Sequence, residues 1–163
     1  MKTLLIVWYS RTGGAEQMAR AAARGARTEP EVRVVMRRAD RATTADVVHA
    51  DGLIFAAPEN LAALAGAMKE FFDRSYYALL ERVNGKPYAA LICAGSDGSG
   101  ALRQLERIAT GLRLRAIGAA LIANTAAQTP EAILAPKVLP REILARCEAL
   151  GAQLAAGLAA GIY

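Results

Sequence analysis

The side chains near the start of the chain that could hold a ligand are two hydroxyls, Ser10 and Thr12, in the stretch S-R-T-G-G-A. The residues before it, Thr3–Trp8, are apolar or β-branched and predict a short buried strand that ends at Tyr9. Apolar residues then recur at helical spacing over Ala15–Ala26, which predicts a helix. The first N–H groups of a helix lack partners and its dipole is positive there, so the loop predicts a phosphate site.

The spacing of this loop excludes two common phosphate sites. A dinucleotide loop needs G-x-G-x-x-G, and a Walker loop needs G-x-x-x-x-G-K-S/T. The stretch S-R-T-G-G-A has neither the glycine spacing nor the lysine. An ordinary strand-to-helix turn remains the alternative, because short turns containing Gly and Ser are common connectors.

Apolar runs alternate with helical periodicity along the rest of the chain, which predicts an α/β fold with a parallel sheet. A polar, weakly helical crossover is expected over Arg37–Val48. Further strands are expected at Glu31–Met36, Asp51–Ala57, Tyr88–Ala94 and Arg115–Asn124, and further helices at Ala65–Leu80, after Gly100 with Leu102, Leu105, Ile108, Ala109 and Leu112 buried, and at Pro140–Ala160. Five strands alternating with helices predict a doubly wound sheet, whose ligands bind at the carboxyl ends of the strands.

Length and charge limit the classes of function. The 163 residues contain no linker-like tract, so we expect one domain over residues 1–163. The net charge is +5, but the arginines are dispersed except for Arg37, Arg38 and Arg41, so we expect no nucleic-acid binding. The two cysteines lack C-x-x-C spacing, and we expect buried thiols and no metal site. No apolar stretch reaches the ~20 residues of a membrane span, so we expect a cytoplasmic protein without membrane contact.

The first loop resembles the FMN phosphate loop of flavodoxin-like flavoproteins, S/T-x-T-G-x-T directly after the first strand. Ser10, Thr12 and Gly13 match this pattern. Ala15 stands where the family usually has a hydroxyl residue. The resemblance implies an FMN phosphate site over Ser10, Arg11, Thr12, Gly13, Gly14 and Ala15.

A second segment, beginning A-P-E-N-L, resembles flavodoxin-fold NAD(P)H-dependent FMN and quinone reductases. Their pattern is roughly S/T-P, six residues, S/G, two residues, K-x-F/W-x-D-R, and the positions kept here are Pro58, Gly66, Lys69, Phe71, Asp73 and Arg74. The resemblance implies that Pro58, Glu59, Asn60 and Leu61 lie along the flavin ring. Core packing is the alternative role for Phe71 and Phe72, and structural pairing or capping is the alternative for Asp73 and Arg74.

The third loop of such a site is A-G-S-D-G-S-G-A, after the fourth predicted strand. Its backbone N–H groups would bind the pyrimidine edge of the flavin, which implies contacts from Ala94, Gly95, Ser96, Asp97 and Gly98. The alternative is a glycine-rich turn in which Asp97 or Ser99 caps the next helix. The flavodoxin-like resemblance also implies the strand order 2-1-3-4-5, with helices on both faces.

The resemblance implies an FMN-dependent oxidoreductase that takes electrons from NAD(P)H and passes them to a quinone, a flavin or a similar small acceptor. Hydride transfer is the cofactor's own chemistry, so no catalytic side chain is expected. His49 precedes the third strand, and we interpret it as a surface residue. The alternative function is a flavodoxin-type electron carrier or a non-catalytic FMN-binding protein. The basic charge and the absence of aromatic residues from the second and third loops argue against a carrier. A homodimer is suggested only by the resemblance.

Overall fold

The computed structural model describes residues 1–163, which form a mainly parallel sheet with helices on both faces. The strands are β1 Lys2–Trp8, β2 Val32–Arg38, β3 Gly52–Asn60, β4 Ala63–Leu64, β5 Pro87–Ala94, β6 Arg115–Ala116 and β7 Leu121–Asn124. The helices are α1 Gly14–Ala26, α2 Thr44–His49, α3 Gly66–Leu79, α4 Ser99–Gly111, α5 Pro130–Leu134 and α6 Arg141–Ala159. No helix is long and apolar enough to cross a bilayer.

The strand order confirms the predicted topology. The hydrogen-bonded path runs β2-β1-β3-β5-β6, and β7 pairs with β5 beyond the end of β6. Taken as one interrupted strand, β6 and β7 occupy the fifth place in the order 2-1-3-4-5. Trp8 pairs with Arg38 on one side and Ala56 on the other, and Pro58 pairs with Cys93. The carboxyl ends of β1, β3 and β5 therefore meet at one edge of the sheet.

Each face of the sheet buries its own apolar cluster. One cluster joins the sheet to α1 and α6, and the other joins it to α2, α3 and α4. Phe71 and Phe72 are 0% and 2% exposed, which confirms their interpretation as core residues. Both cysteines are buried and free, as predicted. Burial raises the pKa of the Cys147 thiol to about 11, so this group stays neutral at ordinary pH.

The predicted end of the third strand was wrong. We expected it to stop before Pro58, but β3 continues to Asn60 and then turns back as a hairpin into β4. The carbonyl of Ala56 accepts from the N–H of Tyr9, so residue 56 faces β1. Pro58 lies two residues further along and faces the same side, but β1 ends at Trp8, so the proline is tolerated. The N–H that Pro58 lacks would point away from β5, so the β3–β5 ladder loses no hydrogen bond.

The predicted fifth strand, Arg115–Asn124, was also wrong in its continuity. Ala116 pairs with Tyr88 and Leu121 pairs with Leu91. Between these two pairs the edge strand advances by five residues while β5 advances by three. The extra residues leave the ladder at Gly118, whose φ of 69° is the left-handed conformation that glycine adopts readily. Such a bulge at a sheet edge interrupts pairing without ending the strand direction.

The helices α1 and α6 pack through backbone contact. A Cβ on Gly25 would lie 1.8 Å from the carbonyl oxygen of Glu148, and a Cβ on Gly151 would lie 2.0 Å from that of Ala22. Both distances are far below van der Waals contact, so only glycine fits at these two positions. This close approach fixes where α1 lies on the sheet, and with it the loop that precedes α1.

Gly151→Ala should destabilise the protein by about 1–3 kcal/mol, because the added methyl group must separate two helix backbones that cannot yield locally. The matched control is Gly66→Ala in the first turn of α3, where an added Cβ meets nothing within 4 Å. That variant should be neutral or slightly more stable. Urea unfolding monitored by circular dichroism measures both, and equal stability of the two variants would contradict close packing at Gly151.

Candidate functional site

The first loop of the candidate site joins β1 to α1. Gly13 has φ of 96° and is the N-cap of α1, so the chain turns into the helix through a left-handed residue. The N–H of Gly13 donates to Oγ of Ser10 over 3.0 Å, which leaves the Ser10 hydroxyl hydrogen free to donate elsewhere. The hydroxyl of Thr12 has no partner within the protein. The loop therefore presents two hydroxyl donors beside the start of a helix.

Backbone N–H groups add to these hydroxyls. Over residues 11–16, five N–H groups have no acceptor anywhere in the protein, those of Arg11, Thr12, Gly14, Ala15 and Glu16. Arg11 and Thr12 lie in the loop, and Gly14, Ala15 and Glu16 form the first turn of α1, where the helix dipole is positive. A set of converging N–H groups at a helix N-terminus is chemically suited to a phosphate dianion.

The carbonyl groups of the same loop are bonded on the opposite side. The N–H of Lys137 donates to the oxygen of Thr12 over 2.8 Å. The oxygen of Gly13 accepts from the backbone N–H of Gln17 over 3.1 Å and from its Nε2 over 2.9 Å. The side chain of Gln17 also reaches the oxygen of Lys137 over 2.7 Å and the N–H of Leu139 over 3.1 Å. These contacts bring the chain before α6 against the first loop.

Sequence reasoning missed Gln17 and Lys137 because their partners are remote. Gln17 and Lys137 lie 120 residues apart in the chain.

A local signal did exist for α5, since Thr129-Pro130-Glu131 is a typical helix start, and Thr129 does cap the helix by accepting from the N–H of Ala132.

Gly14 and Ala15 lie against the sheet. A Cβ on Gly14 would lie 2.4 Å from Sγ of Cys93 at the end of β5, so a side chain there would push the loop off the sheet. Ala15 is 1% exposed and its methyl group belongs to the core cluster beneath α1. Burial raises the pKa of the Cys93 thiol, which the positive charge of Lys137 opposes without reversing. Cys93 is thus a neutral packing group under the loop.

The second loop is the tight β3–β4 hairpin. Its tip residues, Leu61 and Ala62, have φ of 52° and 60°, a left-handed pair in a two-residue turn. The Leu61 side chain is 101% exposed, so it contacts nothing in the protein. The Asn60 side-chain amide also has no partner within the protein. The tip therefore offers an apolar side chain and a free amide beside the carboxyl edge of the sheet.

Glu59 has a structural role that the sequence did not reveal. Its Oε1 accepts from the N–H of Gly98 over 2.9 Å, and its Oε2 accepts from the N–H of Ala101 over 3.0 Å. The carboxylate thus caps α4, and the alternative that Asp97 or Ser99 caps this helix was wrong. The Ser99 hydroxyl instead donates to the Asp97 carboxylate.

The third loop repeats the arrangement of the first. The N–H groups of Gly95, Ser96 and Asp97 have no acceptor in the protein. The carbonyls beside them are bonded by the chain after β7. Thr125 N–H donates to Ala94 over 2.8 Å, Gln128 Nε2 donates to Gly95 over 3.2 Å, and Asn124 Nδ2 donates to Ser96. Three donors therefore face away from that chain at the end of β5.

The basic and acidic residues of the second motif do not enter the site. The Lys69 ammonium pairs with Asp73 over 2.6 Å, one turn along α3. The Arg74 guanidinium donates to the carbonyls of Ala39 and Ala42 over 2.7 and 2.8 Å and lies 3.5 Å from the Glu70 carboxylate. The structural interpretation of Asp73 and Arg74 is therefore confirmed. His49 is exposed at the end of α2, before the amino end of β3.

The donors present fit FMN. Five N–H groups and two hydroxyls suit its phosphate, and the free N–H groups of the third loop suit the polar edge of its ring. The aromatic residues just before the first loop, Trp8 and Tyr9, lie beside Arg38. The Arg38 guanidinium carbon lies 5.8 Å from the Trp8 ring centroid and 5.2 Å from that of Tyr9, which stacks both rings at the end of β2.

Comparison with known proteins finds a matching family model and relatives over part of the chain. The family model described as NADPH-dependent FMN reductase matches residues 36–128, more than half of the chain. A flavodoxin from Aquifex aeolicus is 35% identical over 100 residues, which is 61% of this chain and 54% of that protein. An NAD(P)H dehydrogenase (quinone) from Acidithiobacillus ferrooxidans is 33% identical over 95 residues, which is 46% of this chain and 48% of that protein. The chain thus spans about half the length of these curated relatives.

Solved structures share the whole fold at low identity. A flavodoxin, WrbA-like protein from Agrobacterium tumefaciens has a TM-score of 0.77 at 18% identity, and the match covers 99% of both chains. A flavodoxin from the domain Archaea has a TM-score of 0.77 at 16% identity and covers 96% of this chain and 98% of its own. These likenesses establish the flavodoxin-like fold that the sequence predicted.

Glu59→Gln should destabilise the protein by about 1–2 kcal/mol, because one of the two charge-assisted bonds to α4 is lost and an amide NH₂ faces a backbone N–H. Amide hydrogen exchange at residues 61–64 should speed up, since the hairpin is held to α4 through Glu59. Glu70→Gln is the control, because its exposed pair with Arg74 at 3.5 Å contributes little. Equal effects of the two substitutions on unfolding and exchange would contradict the capping role of Glu59.

Proposed function

The chain belongs to the family of NADPH-dependent FMN reductases, and from this premise we propose that it is an FMN-dependent NAD(P)H oxidoreductase. FMN is held at the carboxyl edge of the sheet, and the electrons pass to a quinone, a flavin or a similar small acceptor. When bound, FMN would supply the redox chemistry, a two-electron transfer from the nicotinamide to the acceptor. The protein supplies binding, orientation and electrostatics.

The phosphate loop carries the proposal. Its five unpartnered N–H groups, with the hydroxyls of Ser10 and Thr12, would bond the FMN phosphate. Arg11 is exposed and has no ion pair, so its charge adds to the positive field at this point. Ala15 contributes its N–H and no side-chain donor, so the FMN phosphate is held by one hydroxyl fewer than in the related loops.

The flavin ring would lie between the second and third loops. The N–H groups of Gly95, Ser96 and Asp97 would bond its pyrimidine edge, and the Asn60 amide offers a further polar contact. Pro58 and Glu59 form the rigid base of the hairpin, because Glu59 is bonded to α4. The fully exposed Leu61 lies at the rim. Without an aromatic residue in either loop, one ring face stays open for the nicotinamide and then the acceptor.

A flavodoxin-type electron carrier is the second candidate. One observation favours it, which is the 35% identity to the Aquifex aeolicus protein named flavodoxin. The net charge of +5 and the non-aromatic loops favour the reductase. The two functions differ in one measurable step, the direct reduction of bound FMN by a nicotinamide nucleotide.

Gly13→Asp should weaken FMN binding by at least about a hundred-fold, because it brings a negative charge into the loop proposed to hold the phosphate dianion. Asp tolerates the left-handed φ of 96° at Gly13 better than most residues, so the fold should survive. Gly161→Asp is the matched control, since Gly161 has φ of 65°, open space around it and no place in the site. Fluorescence titration with FMN measures both, and an unchanged FMN affinity in Gly13→Asp would place the phosphate elsewhere.

NADPH or NADH should bleach the flavin absorbance of the FMN-loaded protein without air, and a quinone should restore it. The open ring face makes direct contact with the nicotinamide feasible. Anaerobic stopped-flow spectroscopy follows both half-reactions. FMN binding without reduction by either nucleotide would rule out the reductase and leave the electron carrier.

A further inference from the structure

We infer that Gln17 is a positioning residue for the cofactor phosphate, acting through the chain segment that precedes α6. This segment, residues 124–139, is here called the strap. It contacts the third loop at one end and the phosphate loop at the other, and Gln17 fastens it to the phosphate loop. The inference rests on the proposed placement of the FMN phosphate at residues 10–16.

Peptide geometry explains why the fastening matters. In a trans peptide the C=O of one residue and the N–H of the next point in opposite directions. The oxygen of Gly13 is held by Gln17 through Nε2 at 2.9 Å, so the N–H of Gly14 must point the other way, toward the phosphate site. The oxygen of Thr12 is held in the same manner by the N–H of Lys137 at 2.8 Å. The N–H of Gly14 is thereby left for the phosphate, whereas the N–H of Gly13, opposite the Thr12 carbonyl, donates to Oγ of Ser10 over 3.0 Å and leaves that hydroxyl hydrogen free.

The strap is rigid enough to serve as an anchor. The Lys137 ammonium donates to the carbonyls of Ala132, Ile133 and Ala135 at 2.9, 2.8 and 2.6 Å, which closes the end of α5. Leu139 is 6% exposed and packs in the core beneath α1. The Gln17 amide uses both Nε2 donors and its Oε1 acceptor on this structure and on Gly13. A side chain so fully bonded holds one orientation.

The strap orients the third loop by the same rule. Thr125, Gln128 and Asn124 donate to the three carbonyls of residues 94–96, so the N–H groups of residues 95–97 face away from the strap. The strap therefore determines the direction in which the N–H donors of both loops point. Gln17 acts on the phosphate set alone, which separates its effect from that of a general structural residue.

Gln17→Met tests this role, because methionine keeps the length of the side chain and removes all three of its hydrogen bonds. The Kd for FMN should rise about ten-fold or more, while the Kd for riboflavin, which has no phosphate, should change less than about three-fold. The readout is the ratio of the two Kd values from flavin-fluorescence quenching, with thermal unfolding measured in parallel.

Gln104→Met is the matched control. Oε1 of Gln104 accepts from the N–H of Leu64 over 2.8 Å, so this glutamine also bonds site backbone, but at the hairpin and not at the phosphate loop. Its substitution should leave the ratio of riboflavin Kd to FMN Kd at the wild-type value. A Gln17→Met ratio equal to that of the wild type would overturn the positioning role. A wild-type ratio near one would instead show that the phosphate placement itself is wrong.

Gln17→Glu keeps the test decisive if Gln17→Met does not fold. The carboxylate preserves the acceptor for Leu139 but loses both donors, and protonation returns one donor to the oxygen of Gly13 or Lys137. FMN affinity relative to the wild type should therefore recover as the pH falls, with no such recovery for riboflavin. A pH profile of relative FMN affinity identical to that of the wild type would overturn the inference.

Discussion

The site depends on the polarity of the peptide group, since a loop can present its N–H groups to a ligand only if its carbonyls are satisfied elsewhere. Residues 12–13 of the first loop and 94–96 of the third loop meet this requirement through contacts to residues 124–139 and to Gln17. What remains on the other side is a set of donors without protein partners. Such donors are unfavourable when buried alone, and they suit an anionic or polar-edged ligand.

Small residues determine where those donors lie. Gly25 and Gly151 allow α1 to touch α6, and Gly14 allows the start of α1 to touch Cys93. Alanines fill the rest of the interface beneath α1, with Ala15, Ala19, Ala22 and Ala26 all buried. The helix therefore sits close to the sheet, and its N-terminus opens at the carboxyl edge. The abundance of alanine and glycine in the chain thus determines the position of the first loop as well as the packing of the core.

The sequence predicted what is local. The strand–loop–helix start and the periodic helices α1, α3 and α6 follow from residue spacing, and the sequence carried the order of the five main strands only through its resemblance to flavodoxin-like proteins. It did not predict contacts between remote residues, such as the Glu59 carboxylate on α4 or Gln17 on Lys137. Pro58 suggested a strand end because proline lacks an N–H, and that signal misleads where the neighbouring strand has already ended. The interruption of the fifth strand at Gly118 could be recognised only from the pairing register between that strand and β5.

The most direct test of the proposed phosphate site observes the amide protons of the first loop. In a ¹⁵N-labelled protein, FMN should shift the amide resonances of Arg11, Thr12, Gly14, Ala15 and Glu16 downfield, because each proton gains an acceptor. Riboflavin should move the amides of Gly95, Ser96 and Asp97 and leave those five nearly in place. Amide shifts at the first loop that are the same for riboflavin and FMN, or absent with FMN, would contradict the assignment of the phosphate to this loop.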